Sequence, residues 1–302
     1  MIINAIKKII LFIPRRIFIA GKNMEEALGM AARLNNEGFL TTIDILGEHS
    51  RSEEKVKKAY EEYKLLIEEI GHRGLKATIS IKLTHLGLEL GFGDCYNVVK
   101  KVIRCARLNN VGIEFDMEQF KYNTDTIEIF QSLSRPEDHN RICLQANIRK
   151  SANDLINLHE LGFQTRLVMG AYEEESDVAL YHECEIRENL DSLINMAVLL
   201  TVSNRNKGII GIKHAIGTRD IKTINWVKEL IKSDSLEKNS LEFQLLFGFT
   251  TLGRQLLSEG YPVRIYLPYG DDQAAFPYIL RRLKSPQNWK LMFGWLLDKT
   301  RN

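Results

Sequence analysis

The sequence predicts an α/β fold, a single (β/α)8 barrel of the TIM type with a short N-terminal helical segment. Short apolar runs alternate with longer amphipathic segments, and each of eight runs is followed by a helix or by room for one. The length of 302 residues is ordinary for one such barrel, whose typical size is about 250 residues. No linker rich in Pro, Gly or Ser divides the chain, so we expect residues 1–302 to form one domain.

The predicted strands are rich in Ile, Val, Phe and Leu, as parallel strands buried on both faces should be. In chain order they are Thr41–Leu46, Ala77–Leu83, Gly112–Met117, Arg141–Asn147, Thr165–Ala171, Gly208–Ala215, Leu241–Gly248 and Val263–Gly270. Apolar residues recur at helical spacing in the segments between them, which include Glu53–Ile70, Asp154–Leu161, Cys184–Leu200, Ile221–Ile231 and Thr251–Glu259. An open doubly wound sheet is the alternative architecture. It requires a Gly-rich phosphate turn after the first strand, and Leu46-Gly47-Glu48 is not such a turn.

The first eighteen residues form a separate basic segment. The apolar run Ile9–Ile13 is flanked by two lysines and by Arg15 and Arg16, and it is far shorter than the roughly 20 residues that span a bilayer. We expect a short basic helix that covers one end of the barrel. Contact with a membrane surface is the alternative interpretation.

The overall composition argues against several classes of partner. The formal net charge is +2, so no global field points to nucleic acid, and no nucleic-acid partner is expected. The four cysteines contain no CxxC pair and no zinc-like spacing with histidine. Neither a zinc site nor a disulfide framework is indicated, and a reducing cytoplasm is the expected location.

Polar residues lie near the predicted carboxyl end of every strand, where barrels of this type carry their chemistry. In order these residues are Glu48, Lys82, Asp116 with Glu118, Gln145, Arg166, His214, Gln244 and Tyr266. Because burying unpaired charges costs several kcal/mol, this arrangement predicts a polar ligand site. It contains one imidazole among mixed residue types, so a divalent-metal enzyme is disfavoured and no metal site is predicted.

The last predicted helix carries the sharpest local pattern. Tyr278, Arg281 and Arg282 fall at i, i+3 and i+4, so they share one helical face. Two guanidiniums beside a phenol suit a carboxylate that is attached to an apolar ring. A solvated basic face is the alternative, since Lys284 follows.

From about Ile17 to Asn288 the chain resembles the proline dehydrogenase family of flavoenzymes. The resemblance is carried by short motifs that recur in the right order on the predicted strands. These are Leu46-Gly47-Glu48, Ser80-Ile81-Lys82-Leu83, Asp116-Met117-Glu118, Leu144-Gln145-Ala146, Arg166-Leu167-Val168 with Gly170-Ala171-Tyr172, Glu242-Phe243-Gln244-Leu245-Leu246-Phe247-Gly248, Val263-Arg264-Ile265-Tyr266-Leu267-Pro268-Tyr269-Gly270 and Tyr278-Ile279-Leu280-Arg281-Arg282-Leu283.

The resemblance implies a distorted barrel that holds FAD at its C-terminal mouth. It implies hydride transfer from the ring carbon beside the nitrogen of proline to flavin N5, which yields pyrroline-5-carboxylate. It further implies that electrons pass to a membrane quinone or another acceptor. The expected partners are therefore FAD, a small cyclic amino acid and this acceptor, in the cytoplasm or peripherally at the inner membrane surface.

The same resemblance assigns roles to single residues. Lys82, Arg281 and Arg282 correspond to a clamp on the substrate carboxylate, and Glu48 corresponds to the carboxylate that pairs with Arg281 when the site closes. The walls around the substrate ring correspond to Ala171, Tyr172, Leu246, Tyr266 and Tyr278. The flavin site corresponds to Asp116, Gln145, Arg166, Gly170, Ala171, His214 and Gln244, with Arg166 near the reacting edge.

Four positions depart from the family motifs. Met169 stands in place of a lysine, Asn147 in place of a tyrosine, Ala215 in place of an asparagine and Ser285 in place of a glutamate. Flavin potential, FAD affinity or substrate identity is expected to differ accordingly. The departures favour a specialised homologue that oxidises a modified proline or another cyclic imino acid in a biosynthetic pathway. A binding protein without turnover and, more remotely, a phosphate-binding barrel aldolase are the further alternatives.

Overall fold

The protein has the barrel fold that the sequence predicts. The computed structural model describes residues 14–208 and 213–283. Eight parallel strands close into a barrel in sequence order, from β1 next to β2 round to β8 next to β1. The strands are β1 (Leu40–Ile45), β2 (Ala77–Ile81), β3 (Ile113–Phe115), β4 (Arg141–Gln145), β5 (Gln164–Val168), β6 (Ala215–Gly217), β7 (Glu242–Leu246) and β8 (Val263–Tyr269).

Helices surround the barrel, one after each strand and one before β1. In the described part of the chain they are α1 (Met24–Asn36), α2 (Glu53–His72), α3 (Phe92–Leu108), α4 (Asn123–Leu133), α5 (Ser151–Glu160), α6 (Glu183–Asn206), α7 (Ile221–Ser233), α8 (Thr250–Ser258) and α9 (Asp272–Leu283). Three of them begin at a side-chain cap, since Asn23, Ser52 and Asp220 each accept a hydrogen bond from a backbone N–H in the first turn. Among the described residues, no helix combines the length and apolar character that crossing a membrane would require.

The strands separate an apolar outer core from a charged interior. Ile43, Ile79, Ile113 and Leu267 are fully buried in the large apolar cluster that includes the inner faces of the helices. The alternate positions on the strands hold polar residues such as Asp44, whose carboxylate pairs with Lys82 inside the barrel. Because neighbouring side chains on a strand point to opposite faces, the interior receives the polar set.

The N-terminal half of the interior is filled by an ion network. Arg141 Nη1 lies 2.6 Å from Glu114 Oε1 and 3.0 Å from Glu242 Oε1, and Arg264 Nε lies 2.8 Å from Glu242 Oε1. Gln244 donates through Nε2 to Glu242 and Glu114. Removing one partner of a buried pair costs about 3–5 kcal/mol, so this network fixes the pairing of the strands beneath the mouth.

The sixth strand lies later in the chain than the sequence pattern predicts. The prediction was Gly208–Ala215, whereas β6 is Ala215–Gly217 and shares one residue with it. Residues 209–212 lie outside the described part of the chain. A three-residue strand is too short to show periodicity. The sequence pattern therefore predicts the strand in the apolar run that precedes it.

The N-terminal segment lies against the last helix. Residues 14–18 are helical, and Ile17, Phe18 and Ile19 pack with Tyr278 and Ile279 of α9 in a second apolar cluster. Arg15 Nη2 donates to the backbone oxygen of Gly270 at 2.6 Å. This part of the segment covers the C-terminal side of the barrel, while Ile9–Ile13 lies outside the described residues.

Candidate active site

A buried group of charged side chains lies at the C-terminal end of the barrel. Lys82, which directly follows β2, donates to Asp44 Oδ1 at 2.7 Å and to Asp116 Oδ2 at 2.8 Å. Arg166 of β5 donates through Nη2 to the other oxygen of Asp116. Tyr266 of β8 donates to Asp116 Oδ2 at 2.6 Å. The Asp116 carboxylate, at the end of β3, therefore joins side chains from β5, from β8 and from the end of β2.

The charges in this group are stable at neutral pH. Burial would raise the pKa of Asp116, but Lys82 and Arg166 outweigh it and hold that pKa below its usual range. Burial would lower the pKa of Lys82, but Asp116 and Asp44 outweigh it and raise that pKa well above its ordinary value. The site thus presents an ammonium and a guanidinium that do not titrate near neutrality.

Glu48 and Arg281 form an ion pair at the mouth. Arg281 Nη1 donates to Glu48 Oε2 at 3.1 Å, and Nη2 donates to the other oxygen. The phenol of Tyr172 donates to Glu48 Oε1 at 3.4 Å, and the Arg281 guanidinium carbon lies 5.5 Å from the Tyr172 ring. The structure therefore brings together three residues that the sequence assigned to the substrate site.

Tyr278 places an unpaired phenol beside the arginine pair. The side chain is buried, and its ring lies 4.8 Å from the Arg282 guanidinium carbon. Its hydroxyl finds no hydrogen-bond partner in the described part of the protein. Burial raises the pKa of Tyr278, so the group stays a neutral donor. The unpaired hydroxyl is therefore available to donate a hydrogen bond to a ligand.

The ends of β4 and β5 form a second part of the site. Gln145 donates through Nε2 to the Met117 backbone oxygen at 3.3 Å, while its Oε1 has no partner among the described residues. Gly170 has φ 108°, and a Cβ there would lie 2.0 Å from Asn147 Oδ1. An amide acceptor, the Arg166 cation and close backbone suit a flat heterocycle with an imide N–H. These residues therefore fit a flavin.

The family model described as proline dehydrogenase matches residues 27–285. The chain belongs to the proline dehydrogenase family. Proline dehydrogenase 1 of Bacillus subtilis (strain 168) is 30% identical over 286 residues, which cover 94% of this chain and 91% of the relative. The proline dehydrogenase of Deinococcus radiodurans is also 30% identical, over 90% of this chain and 86% of its own length.

Solved structures of similar fold come from longer proteins. Proline utilization A from Bdellovibrio bacteriovorus, inactivated by N-propargylglycine, superposes with a TM-score of 0.81 at 24% identity and covers 95% of this chain. Proline utilization A from Bradyrhizobium japonicum gives a TM-score of 0.72 at 17% identity. The present chain spans 34% and 30% of those two chains. At these identities the likeness supports the barrel fold alone.

His214 does not lie at the mouth, and its predicted position is wrong. The residue directly precedes β6, where its Nε2 lies 2.9 Å from His159 Nδ1 and its Nδ1 lies 2.9 Å from Thr165 Oγ1. Thr165 is the second residue of β5, so the pair lies at the N-terminal end of the barrel. The error follows from the misplaced sixth strand. Burial, His159 and Arg141 lower the pKa of His214 to about 3.

The residues that follow β6 are Thr218, Arg219 and Asp220. Arg219, not His214, therefore follows the carboxyl end of this strand. The Arg219 guanidinium lies 4.9 Å from the Phe249 ring, and burial, with Arg282 and Arg187 nearby, lowers its pKa.

Gln244 was also assigned to the flavin site, but it lies lower in the barrel. It is the middle residue of β7, and its Nε2 lies 2.9 Å from Glu242 Oε1 in the interior ion network. The ends of strands predicted from sequence alone are uncertain by a few residues. The sequence therefore places Gln244 at the mouth although it lies in the middle of its strand. Leu246, in contrast, is the last residue of β7 and is half-buried.

The remaining assigned residues follow β5. Gly170 and Tyr172 are half-buried and Ala171 is exposed, while Met169 packs against the large apolar cluster. Asn147 donates through Nδ2 to the Tyr172 backbone oxygen at 3.4 Å. Ser285 lies outside the described residues.

Asp44 is a site residue that the sequence assignment missed. It is fully buried in β1, and its Oδ1 pairs with Lys82 while its Oδ2 has no partner within the described residues. A signal was present, since a carboxylate within the run Thr41–Leu46 needs a buried cation.

Proposed function

We propose that the protein is an FAD-dependent dehydrogenase that oxidises L-proline to pyrroline-5-carboxylate. The observation that carries the proposal is the buried connection from Lys82 through Asp116 to Arg166. It joins a cation suited to a substrate carboxylate with a cation suited to the cofactor. Membership of the proline dehydrogenase family supports both assignments.

The substrate carboxylate is held by Lys82, Arg281 and Arg282 in this proposal. Charge-assisted hydrogen bonds contribute about 1.5–3 kcal/mol each, and a planar guanidinium also fixes the orientation of a carboxylate. Glu48 holds Arg281 across the mouth through two hydrogen bonds. The ion pair therefore limits the orientations that Arg281 adopts.

The substrate ring is enclosed by Tyr172, Leu246, Tyr266 and Tyr278, with Ala171 at the rim. The Asp116 hydrogen bond fixes the phenol of Tyr266, and the N-terminal cluster packs Tyr278 in place. Rigid aromatic walls hold the reacting carbon and exclude water, which hydride transfer requires.

Gln145, Arg166 and the Gly170 backbone would hold FAD, with Asp116 orienting Arg166. When bound, FAD supplies the hydride acceptor. Arg166 keeps its charge, since burial lowers its pKa but neighbouring anionic groups, Asp116 among them, raise it well above its ordinary value. A fixed cation stabilises the negative charge that two-electron reduction creates.

Electrons leave to a quinone or another acceptor in this proposal, and the protein works in the cytoplasm or at the inner membrane surface. The basic residues that flank Ile9–Ile13 in the sequence support a surface contact. Flotation of the purified protein with anionic vesicles, at low and high salt, tests this location.

An absorbance spectrum of the purified protein tests the function. We expect flavin bands that bleach when L-proline is added without oxygen, and D-proline serves as the matched control. Protein that is saturated with FAD but retains no flavin after gel filtration would contradict the cofactor. Flavin that stays oxidised with L-proline would contradict the substrate.

A specialised homologue that oxidises a modified proline or another cyclic imino acid is the second candidate. Met169 and Asn147 favour it, because each changes a contact near the expected cofactor without altering the carboxylate clamp. Comparison of kcat/KM for proline, hydroxyprolines and pipecolate separates the candidates. A value for one analogue at least tenfold above that for proline would establish the specialised homologue.

A further inference from the structure

Glu89 connects three loops at the mouth of the barrel. It lies between β2 and α3, and its side chain is 14% exposed. Oε1 lies 2.8 Å from His49 Nδ1 and also accepts from the Tyr122 hydroxyl, while Oε2 accepts from Arg51 Nε at 2.9 Å. His49 and Arg51 belong to the loop after β1, and Tyr122 belongs to the loop after β3.

The Glu89 carboxylate is anionic throughout the neutral range. The hydrogen bond from Tyr122, opposed by burial and reinforced by Arg51 and His49, lowers the pKa of Glu89 to about 2. Hydrogen bonds to an ionised acceptor are stronger than those between neutral groups. Glu89 is therefore a firm anchor for the loop after β1.

That loop carries Glu48, and the residue next to it is held in an uncommon conformation. His49 has φ 55°, a left-handed region that non-glycine residues adopt at an energetic cost. Its backbone N–H donates to Thr84 Oγ1 at 3.1 Å, and Ser50 N–H donates to the Thr84 backbone oxygen at 2.9 Å. Buried Glu118 in turn accepts from Thr84 through both carboxylate oxygens.

The residue on the other side of Glu48 is also closely fitted. A Cβ on Gly47 would lie 2.3 Å from His85 Cε1, so the backbone packs directly against that ring. Gly47 and His49 thus fix the chain on both sides of Glu48. The direction of the Glu48 side chain toward Arg281 follows from these anchors.

We propose that Glu89 is a positioning residue for the active site. By holding His49 and Arg51, it keeps Glu48 directed at Arg281, which orients the guanidinium for the substrate carboxylate. Glu89 itself contacts neither substrate nor cofactor in this proposal. The inference rests on the proposed function for its kinetic consequence, but the loop anchoring is independent of that function.

Glu89→Gln leaves the shape of the side chain and removes its charge. His49 and Arg51 then lose their ionised acceptor, and the loop after β1 leaves the strained conformation more often. We expect KM for proline to rise about tenfold, because orientation of Arg281 is lost. We expect kcat to stay within about twofold of the parent, because the Lys82, Asp116 and Arg166 group is untouched.

A double-mutant cycle with Glu48→Gln tests whether Glu89 acts through Glu48. We expect the KM of the double variant to equal that of Glu48→Gln alone, because the anchor has nothing left to position. Additive effects on KM, or an unchanged KM in Glu89→Gln, would overturn the proposal. Asp138→Asn is the matched control, since that carboxylate also accepts three hydrogen bonds but lies before β4. It should leave KM unchanged.

Amide hydrogen exchange of residues 47–51 tests the anchoring by Glu89 separately from the proposed oxidation of proline. We expect exchange at His49 and Ser50 to accelerate about tenfold in Glu89→Gln and to stay unchanged in Asp138→Asn. Unchanged exchange in both variants overturns the anchor whatever the enzyme oxidises. If the wild-type flavin ignores proline while exchange responds, the proposed substrate fails and the anchor stands. Should Glu89→Gln not fold, Arg51→Ala and Tyr122→Phe each remove one donor, and about a threefold acceleration is expected.

Discussion

The ammonium of Lys82 lies 2.8 Å from the Asp116 carboxylate, and both groups are buried beneath the mouth of the barrel. The pair matters for stability as well as for ligands, because the second oxygen of Asp116 holds Arg166. One carboxylate therefore compensates two buried cations. Removal of the Asp116 carboxylate leaves Lys82 and Arg166 each without one anionic partner.

Asp116→Asn should lower the free energy of unfolding by about 3 kcal/mol, the cost of breaking a buried pair. Because Asp44 still pairs with Lys82, we expect the loss of unfolding free energy to lie at the lower end of the range of about 3–5 kcal/mol for a broken buried pair. Urea unfolding measures the change. Glu37→Gln is the control, because its pair with Arg254 is exposed and contributes less than about 1 kcal/mol. A loss for Asp116→Asn no larger than the control would contradict the role of Asp116 as the hub.

Arg281→Met and Arg282→Met should each weaken proline binding by about one to two decades. Each variant removes a charge-assisted contact of about 1.5–3 kcal/mol, and 1.4 kcal/mol corresponds to a factor of ten. Flavin content should stay near normal. Titration of the oxidised enzyme with a non-reacting proline analogue, followed by flavin absorbance, measures the dissociation constants.

Arg254→Met is the matched control for the clamp, since Arg254 pairs with Glu37 on the outer surface. It should bind the analogue as the parent does. Unchanged affinity in both mouth variants would remove the carboxylate clamp from the proposal.

The sequence was sufficient to predict the barrel and to place at its mouth the residues that follow well-defined strands. Lys82 and Asp116 come directly after β2 and β3, so a one-residue error in either strand leaves them at the mouth. Arg281 and Glu48 meet although 233 positions separate them. Because all strands of the barrel are parallel, their carboxyl ends converge, and the resemblance supplied the pairing.

His214 and Asp44 show where sequence reasoning failed. β6 has only three residues, so no periodicity located its end, and a neighbouring apolar run displaced the assignment. Asp44 lies inside an apolar run and not at a strand end, so its position in the strand does not mark it as a site residue. Its role depends on a contact with Lys82, 38 positions away, and no local pattern encodes that contact.

The buried pair of His159 and His214 should make stability depend on pH between about 6.5 and 3. The unfolded histidine binds a proton below its ordinary pKa of 6.5, whereas burial, His159 and Arg141 lower the pKa of folded His214 to about 3. The unfolded state therefore binds more protons in this window, and stability falls as pH falls. The slope per group approaches about 1.4 kcal/mol per pH unit.

Urea unfolding between pH 7 and pH 5 measures the histidine contribution, because carboxylates titrate mainly at lower pH. We expect His214→Asn to be less stable at pH 7 and to show a shallower dependence on pH. His72→Asn, at an exposed position on α2, should keep the parent slope. Equal slopes in the parent and in His214→Asn would show that the buried imidazole does not control the acid response.

Met169→Lys should raise the midpoint potential of the bound flavin. Met169 directly follows β5 and precedes Gly170, and its backbone oxygen accepts from Asn147 N–H at 3.0 Å, so the residue lies between segments that the proposal assigns to the cofactor. A cation there stabilises the reduced, more negative flavin. We expect a rise on the order of tens of millivolts, since about 30 mV corresponds to 1.4 kcal/mol for a two-electron couple. Dye equilibration measures the potential. Met169→Leu changes shape without charge and should leave the potential unchanged, so a similar shift in both variants would assign Met169 to packing alone.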